Sequence, residues 1–87
     1  MKVEVLIGIT LYSETLEEAV NAIRQNIKSS DIDIIAACAH GVGHLARRYE
    51  FRDDELIKEV TEACERLGET GALVDMNDDL EHFTPKS

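Results

Sequence analysis

Apolar side chains recur every three or four residues over residues 13–83 of this 87-residue chain. That interval places them on one face of an α-helix, because a helix turns once every 3.6 residues or so. Polar or glycine-containing segments interrupt the pattern at 29–31, 52–54 and 70–71. The pattern therefore predicts four helices in this part of the chain, joined by short connections that make neighbouring helices antiparallel.

Local signals support the ends of these helices. Thr15 followed by Glu18 is typical of a capping box, with Ser13 as an alternative cap, and Gly68 is a stop signal for the fourth helix. The third helix, from about residue 33 to residue 50, is rich in alanine and glycine. Small side chains allow neighbouring helices to approach closely, so we expect this helix to be central and its glycines to be required by packing.

The sequence of residues 2–11 fits more than one type of secondary structure. The alternation of valines with Ile7 fits a strand, whereas Leu6 and Ile9 in a short apolar run fit a buried helix. The residues alone leave both alternatives open. The rest of the chain predicts one all-α domain over residues 1–87, since a chain of this length forms a single core.

Acidic residues dominate the second half of the chain. The formal net charge is −9, from 18 acids and nine bases, and residues 50–81 contain twelve of the acids but only three of the bases. Such a field repels nucleic acid and anionic membranes and attracts basic proteins. A solvated acidic surface that promotes solubility explains the same charges, so charge alone leaves both interpretations open.

Cys38 and Cys64 are the only cysteines, and both occupy apolar positions of predicted helices. We expect both thiols to be reduced and buried, because two cysteines are too few for a disulfide-rich secreted scaffold. The chain shows no signal-peptide pattern, and its apolar run at residues 3–11 is too short for a membrane span. These features predict a cytoplasmic protein with no membrane partner.

His40 and His44 lie four residues apart on the third helix and therefore share a face. Two such histidines can bind a metal if a third ligand is supplied, for example by His82 or an acid near it. The alternative is that both are hydrogen-bonded residues in a groove between helices. Cys38 lies on the opposite side of the helix, and the sequence contains no phosphate loop, nucleophile elbow or dinucleotide fingerprint. We therefore predict no catalysis, no cofactor and no resident metal.

The predicted fifth helix carries an acidic stripe. Asp75, Asp78, Asp79 and His82 share a face at offsets of three, four and seven residues, away from the apolar face. Like charges at these offsets repel one another. The helix is therefore either fully solvated along this stripe or bound there by a basic partner.

Three motifs, in order along the chain, resemble a bacterial family of short HEAT-repeat-like proteins. They are Leu11-Tyr12, Gly43-His44-Leu45-Ala46-Arg47 after an Ala/Cys-rich helix, and Asp78-Asp79-Leu80-Glu81-His82-Phe83. The resemblance covers residues 5–83. It departs from the family pattern at Ser13-Glu14-Thr15-Leu16, where a loop ending in an aromatic residue is expected. It implies an all-α, HEAT-like stack of two antiparallel helical hairpins, with about five helices and a helical first segment.

Proteins that resemble this family often act as immunity partners of polymorphic or contact-dependent growth-inhibition toxins. The resemblance thus implies stoichiometric binding of a cognate toxin domain, a basic protein expected to be a nuclease, on the inner row of first, third and fifth helices. The residues expected to form this surface are Asp75, Asp78, Asp79, Glu81, His82, His44, Arg47 and His40. Two alternatives stay open, a general HEAT-like adaptor and a metal-binding protein that uses the two histidines of the third helix.

Overall fold

A computed structural model describes residues 1–85, which form five α-helices and no β-strand. The helices are α1 (Val3–Tyr12), α2 (Leu16–Asn26), α3 (Ile32–Tyr49), α4 (Asp54–Leu67) and α5 (Gly71–Phe83). The predicted all-α fold is confirmed, and the first segment, which the residues left undecided, is helical. None of the helices in residues 1–85 has both the length and the apolarity of a membrane span.

Short polar side chains and one glycine define several helix ends. Thr15, Asp31 and Asp53 each accept hydrogen bonds from backbone N–H groups in the first turn of the following helix, at 2.9–3.2 Å. Gly68 ends α4 with a φ of 73°, a left-handed conformation that glycine adopts without a Cβ clash. The cap at Thr15 and the stop at Gly68 therefore agree with the sequence prediction.

The helices form two layers, α1, α3 and α5 in the first and α2 and α4 in the second. In the first layer α1 and α5 pack against α3 and run parallel to it, so that Thr10 lies beside His44 and Asp79 lies against Gly43. In the second layer α2 and α4 run antiparallel to the first, and Arg24 of α2 joins the start of α4 through ion pairs. The alternation of directions along the chain is that of stacked helical hairpins.

The core between the layers is aliphatic and draws on all five helices. Its largest fully buried apolar side chains are Leu6, Ile23, Ile35, Leu45, Leu56 and Met76. Leu6 and Thr10, one turn apart, are the fully buried residues of α1. Burial of that narrow side against α3 stabilises the helical form of a segment whose own sequence also fits a strand.

The two glycines inside α3 mark its closest contacts with neighbouring helices. A methyl group at Gly41 would lie 2.8 Å from Cγ2 of Thr10 and 3.2 Å from Cδ1 of Ile23. A methyl group at Gly43 would overlap the carboxylate of Asp79 on α5. The prediction that packing requires these glycines is thereby confirmed.

Arginine side chains hold the helix ends together. Arg48 donates to the carbonyl oxygens of Thr10 (2.9 Å) and Ser13 (2.7 Å) at the end of α1. Arg66 donates to the carbonyl oxygen of Ser29 at 2.9 Å, just beyond α2. A cation at a helix C-terminus satisfies carbonyl groups that have no partner within the helix and interacts favourably with the helix dipole.

Candidate protein-binding surface

The exposed side of the α1/α3/α5 layer is the surface on which the sequence analysis placed the binding residues. Within α3, His40 and His44 are half-buried and Arg47 is exposed, and they lie on successive turns of one face. His40 lines a groove of about 410 Å³ between α1 and α3, together with Glu4 and Asp33 and an apolar floor. His40 therefore lies in a groove between helices, as one of the two alternatives from the sequence proposed.

His44 is held in one tautomer by a threonine of α1. The hydroxyl of Thr10 donates to the carbonyl oxygen of Ile7 at 3.0 Å, so its oxygen is left to accept from Nδ1–H of His44, also at 3.0 Å. Nε2 of His44 then carries a lone pair and acts as an acceptor. Burial lowers the pKa of His44 to about 4, and the positive charge of Arg47 adds to this effect. His44 is therefore neutral at physiological pH.

Asp79 joins the acidic stripe of α5 to this face of α3. Its carboxylate is packed against the backbone of Gly43, and its Oδ2 atom lies 3.8 Å from Nε of Arg47. The Asp79 side chain is 29% exposed and that of Arg47 is 47% exposed. An ion pair at this distance in contact with solvent contributes little to stability, so both side chains remain able to reorient toward a partner.

Asp75, Asp78 and His82 extend the surface along the exposed side of α5. All three side chains are exposed, and neither aspartate forms an ion pair with any residue in the range 1–85. The ring of His82 packs edge-on against Phe83, with 4.6 Å between centroids. The structure therefore brings these residues to one side of the helix, next to Asp79.

Glu81 lies on another side of α5. It lines a hollow of about 470 Å³ near Arg52 and Ile57, toward the start of α4. Successive residues of a helix are rotated by about 100°, which carries Glu81 roughly 120° away from Asp75. Seven of the eight expected residues thus border the exposed side of the α1/α3/α5 layer, and Glu81 borders a separate hollow.

Potential metal ligands are not clustered in the described residues, and both thiols are buried. Among residues 1–85, no group of three or more His, Cys, Asp or Glu side chains is placed to hold a metal ion. Cys38 is fully buried, its sulfur lies 3.9 Å from the carbonyl oxygen of Ile23, and burial raises its pKa to about 12. Cys64 is likewise a free, buried thiol with a raised pKa, caused first by burial. The predicted burial of both cysteines is confirmed.

Two residues that contribute to this surface were not singled out from the sequence. Thr10 fixes the tautomer of His44, and Arg48 is bonded to α1 so that it is not available as a free cation. The sequence did contain a signal for Thr10, because it is the only residue with a polar side chain in the run Ile7–Leu11. The role of Arg48 had no local signal, since its partners lie 35 and 38 residues away.

The surface offers acceptors for hydrogen bonds from a partner and negative charge that attracts a basic one. No family model matches the chain, and no curated protein or solved structure is significantly similar to it. An assignment of function therefore has to come from the surface itself.

Proposed function

We propose that this chain is an immunity protein, which neutralises a cognate bacterial toxin domain by binding it in a one-to-one complex. The partner is a basic protein, and a nuclease is the class of toxin that best fits the charge. Binding occurs on the exposed side of the α1/α3/α5 layer. Neutralisation follows from covering the active site of the toxin, so the chain itself performs no chemistry.

The observation that carries this proposal is the imbalance between free carboxylates and free cations. Residues 50–81 contain twelve acids and three bases. Arg52 is paired with Asp54 at 3.0 Å, and Arg66 is bonded to a backbone carbonyl oxygen, so Lys58 is the remaining base of that segment. Arg52 and Arg66 keep their positive charge in these bonds, so the three bases of this segment still face twelve acids and the segment produces an acidic field outside the molecule.

A nuclease fits this field because its active site is built to hold phosphates. Such a site has a positive potential, and an acidic surface is attracted to it at long range. Complementary charge raises the rate of association above the value for neutral partners. An immunity protein gains from fast association, because toxin that is bound sooner has less time to act.

The residues of the surface have different expected roles. Asp75 and Asp78 are exposed and contribute to attraction at a distance, so their effect should be sensitive to salt. Asp79 and His44 are half-buried acceptors beside Gly43, and they become more fully desolvated under a partner. An Arg or Lys side chain of the toxin that donates to Asp79 would therefore affect the rate of dissociation more than the rate of association.

The first test is protection of bacteria from a toxin. The proposal predicts that a large exoprotein is encoded immediately upstream of this chain, and the toxin domain to be tested is the C-terminal domain of that exoprotein. Its expression alone should stop growth, and expression of this chain with it should restore growth and give a one-to-one complex by light scattering. Growth arrest that persists in the presence of soluble chain contradicts the proposal. A complex without protection instead supports the adaptor alternative.

The second test distinguishes binding through the acidic side of α5 from a general effect of the net negative charge. The variant Asp75→Asn/Asp78→Asn removes two charges from the exposed side of α5, and the matched control Glu17→Gln/Glu18→Gln removes two charges near the start of α2. The α5 variant should associate with the toxin domain roughly 10-fold more slowly at low salt and show a weaker salt dependence. The control should change the rate by less than about twofold. Equal rates for the two variants would move the interface elsewhere, with the acidic helix α4 the next region to examine.

A further inference from the structure

Helix α1 has an apolar stripe that faces away from the rest of the molecule. Met1, Val5, Gly8 and Tyr12 follow one another at offsets of four, three and four residues, the spacing of the seam between two paired helices. Met1 is 55% exposed, Val5 is 49% exposed and Tyr12 is 80% exposed. A Cβ atom at Gly8 would have no heavy atom within 4 Å apart from its own helix and neighbours. We call these four residues the outer stripe.

The composition of α1 is unusual for a helix at the edge of a stack. Its ten residues include one charged residue, Glu4, and its apolar side chains point in every direction. A helix that is apolar all round is normally covered on more than one side. Helices α3 and α2 cover two sides of α1, and the outer stripe is a further apolar side with no cover from residues 1–85.

The same edge contains both a protruding ring and a hollow. Tyr12 protrudes at the end of α1, and a hollow of about 440 Å³ lies between α1 and α2. Its lining is apolar at Met1, Ile9 and Ala22 and polar at Thr15, Glu17, Glu18, Asn21 and Gln25. An interface between identical copies related by a twofold axis needs both complementary features on one surface. The α1 edge meets that requirement by itself.

Charge favours a second copy at this edge over the edge formed by α4 and α5. The acidic helices α4 and α5 follow α3 on the side away from α1, so two copies joined through α1 keep those helices apart. Lys2 and Glu14 flank the two ends of α1. Antiparallel pairing places Lys2 of each copy near Glu14 of the other, whereas parallel pairing would bring the like charges together.

We propose that two copies of this chain associate through the outer stripe, with α1 of each copy antiparallel to α1 of the other and Gly8 near the twofold axis. Glycine at the crossing point allows the two backbones to approach closely. Each Tyr12 ring fills the hollow of the other copy. The inference does not depend on the proposed function, and the dimer leaves the exposed sides of α3 and α5 uncovered.

The area of the outer stripe determines how tightly the two copies are expected to associate. A buried aromatic side chain covers about 150–250 Å², so the stripe and its borders offer on the order of 450 Å² per copy. The two copies then bury on the order of 900 Å² in total, less than the standard interface of about 1,600 Å². We therefore expect a weak dimer with a dissociation constant on the order of 100 μM.

The test is the mass of the chain in solution over a wide range of concentration. By light scattering or sedimentation, the average mass should rise from that of one chain at about 5 μM toward that of two at about 1 mM. Tyr12→Ser should shift this transition to at least tenfold higher concentration. The matched control is Val74→Ser on α5, which changes another exposed apolar residue (58% exposed) and should leave the transition in place. Helical content is checked for both variants by circular dichroism.

A cysteine at the axis tests the position of the interface. Gly8→Cys should form a disulfide between two copies under mild oxidation, because a residue on a twofold axis meets its own equivalent. Val74→Cys should not, and native Cys38 and Cys64 are fully buried and do not compete. A single-chain mass at every concentration overturns the proposal. A dimer that tolerates Tyr12→Ser, or that cross-links through Val74→Cys instead, also overturns it.

Discussion

Replacement of Gly43 by alanine tests the contact that positions the candidate surface. The added methyl group would overlap the Asp79 carboxylate and lie 3.2 Å from its Cγ and 3.3 Å from its Cβ. Rotation of the carboxylate relieves the first overlap, but it breaks the contact with Arg47. The Cβ atom cannot rotate away, so α3 and α5 have to separate by a few tenths of an ångström at this point.

Two opposing effects determine the change in stability. An added methyl group in a tightly packed contact costs about 1–3 kcal/mol, whereas alanine is favoured over glycine inside a helix by about 1 kcal/mol. We therefore expect Gly43→Ala to lower the free energy of unfolding by about 1 kcal/mol. Gly8→Ala is the matched control, because its methyl group meets no heavy atom within 4 Å. It should raise the free energy of unfolding by about 1 kcal/mol.

The measurement is urea unfolding followed by circular dichroism, at a few micromolar protein so that each chain is monomeric. The double variant with Asp79→Gly identifies the source of the cost, since it removes both the overlapping carboxylate and the Cβ atom that cannot rotate away. In that background Gly43→Ala should lose most of its effect, giving a coupling free energy of about 1–2 kcal/mol. Stabilisation by Gly43→Ala equal to that by Gly8→Ala would refute the close contact between α3 and α5.

Three further predictions concern buried or bonded polar groups. The pKa of His44 falls from 6.5 to about 4 on folding, so the unfolded chain binds a proton on this residue more readily than the folded chain does. The free energy of unfolding should therefore decrease as the pH falls from 7 toward 4, and His44→Gln should make it less dependent on pH over that range. Cys38 and Cys64 should react with a thiol reagent at pH 8 only as fast as the chain unfolds, and immediate labelling of either would contradict their burial. Arg48→Met should destabilise by about 1–2 kcal/mol through lost bonds to the end of α1, whereas Arg47→Met should change stability by less than about 0.5 kcal/mol. Equal effects of the two arginine variants on urea unfolding would contradict the bonding described here.

Helices α2 to α5 were predictable because their signals are local. The apolar spacing, the Thr15 cap and the Gly68 stop each depend on residues within one or two turns of the chain. The abundance of small residues in α3 also predicted its central position correctly, because small side chains on several sides of a helix let neighbouring helices pack closely against it. The residues of α1 lacked such a signal, and its helical form depends on packing against α3.

The candidate surface was predictable to the extent that it follows helical spacing. His40, His44 and Arg47 share a face of α3 because they are separated by four and three residues. Spacing within one helix does not say which residue of the next helix lies beside that face. The contact of Asp79 with Gly43, and the separation of Glu81 into another hollow, depend on how α5 is rotated against α3.

The sequence by itself determined the helical class, most of the helix ends, the burial of both cysteines and the excess of negative charge. These properties depend on composition or on residues that are neighbours along the chain. Only the tertiary structure decided the partners of the polar side chains. Thr10 holds His44, and Arg48 holds the end of α1, across 34 to 38 residues of chain. Such bonds form because helix packing brings a donor within about 3 Å of an acceptor, a distance that no local pattern encodes.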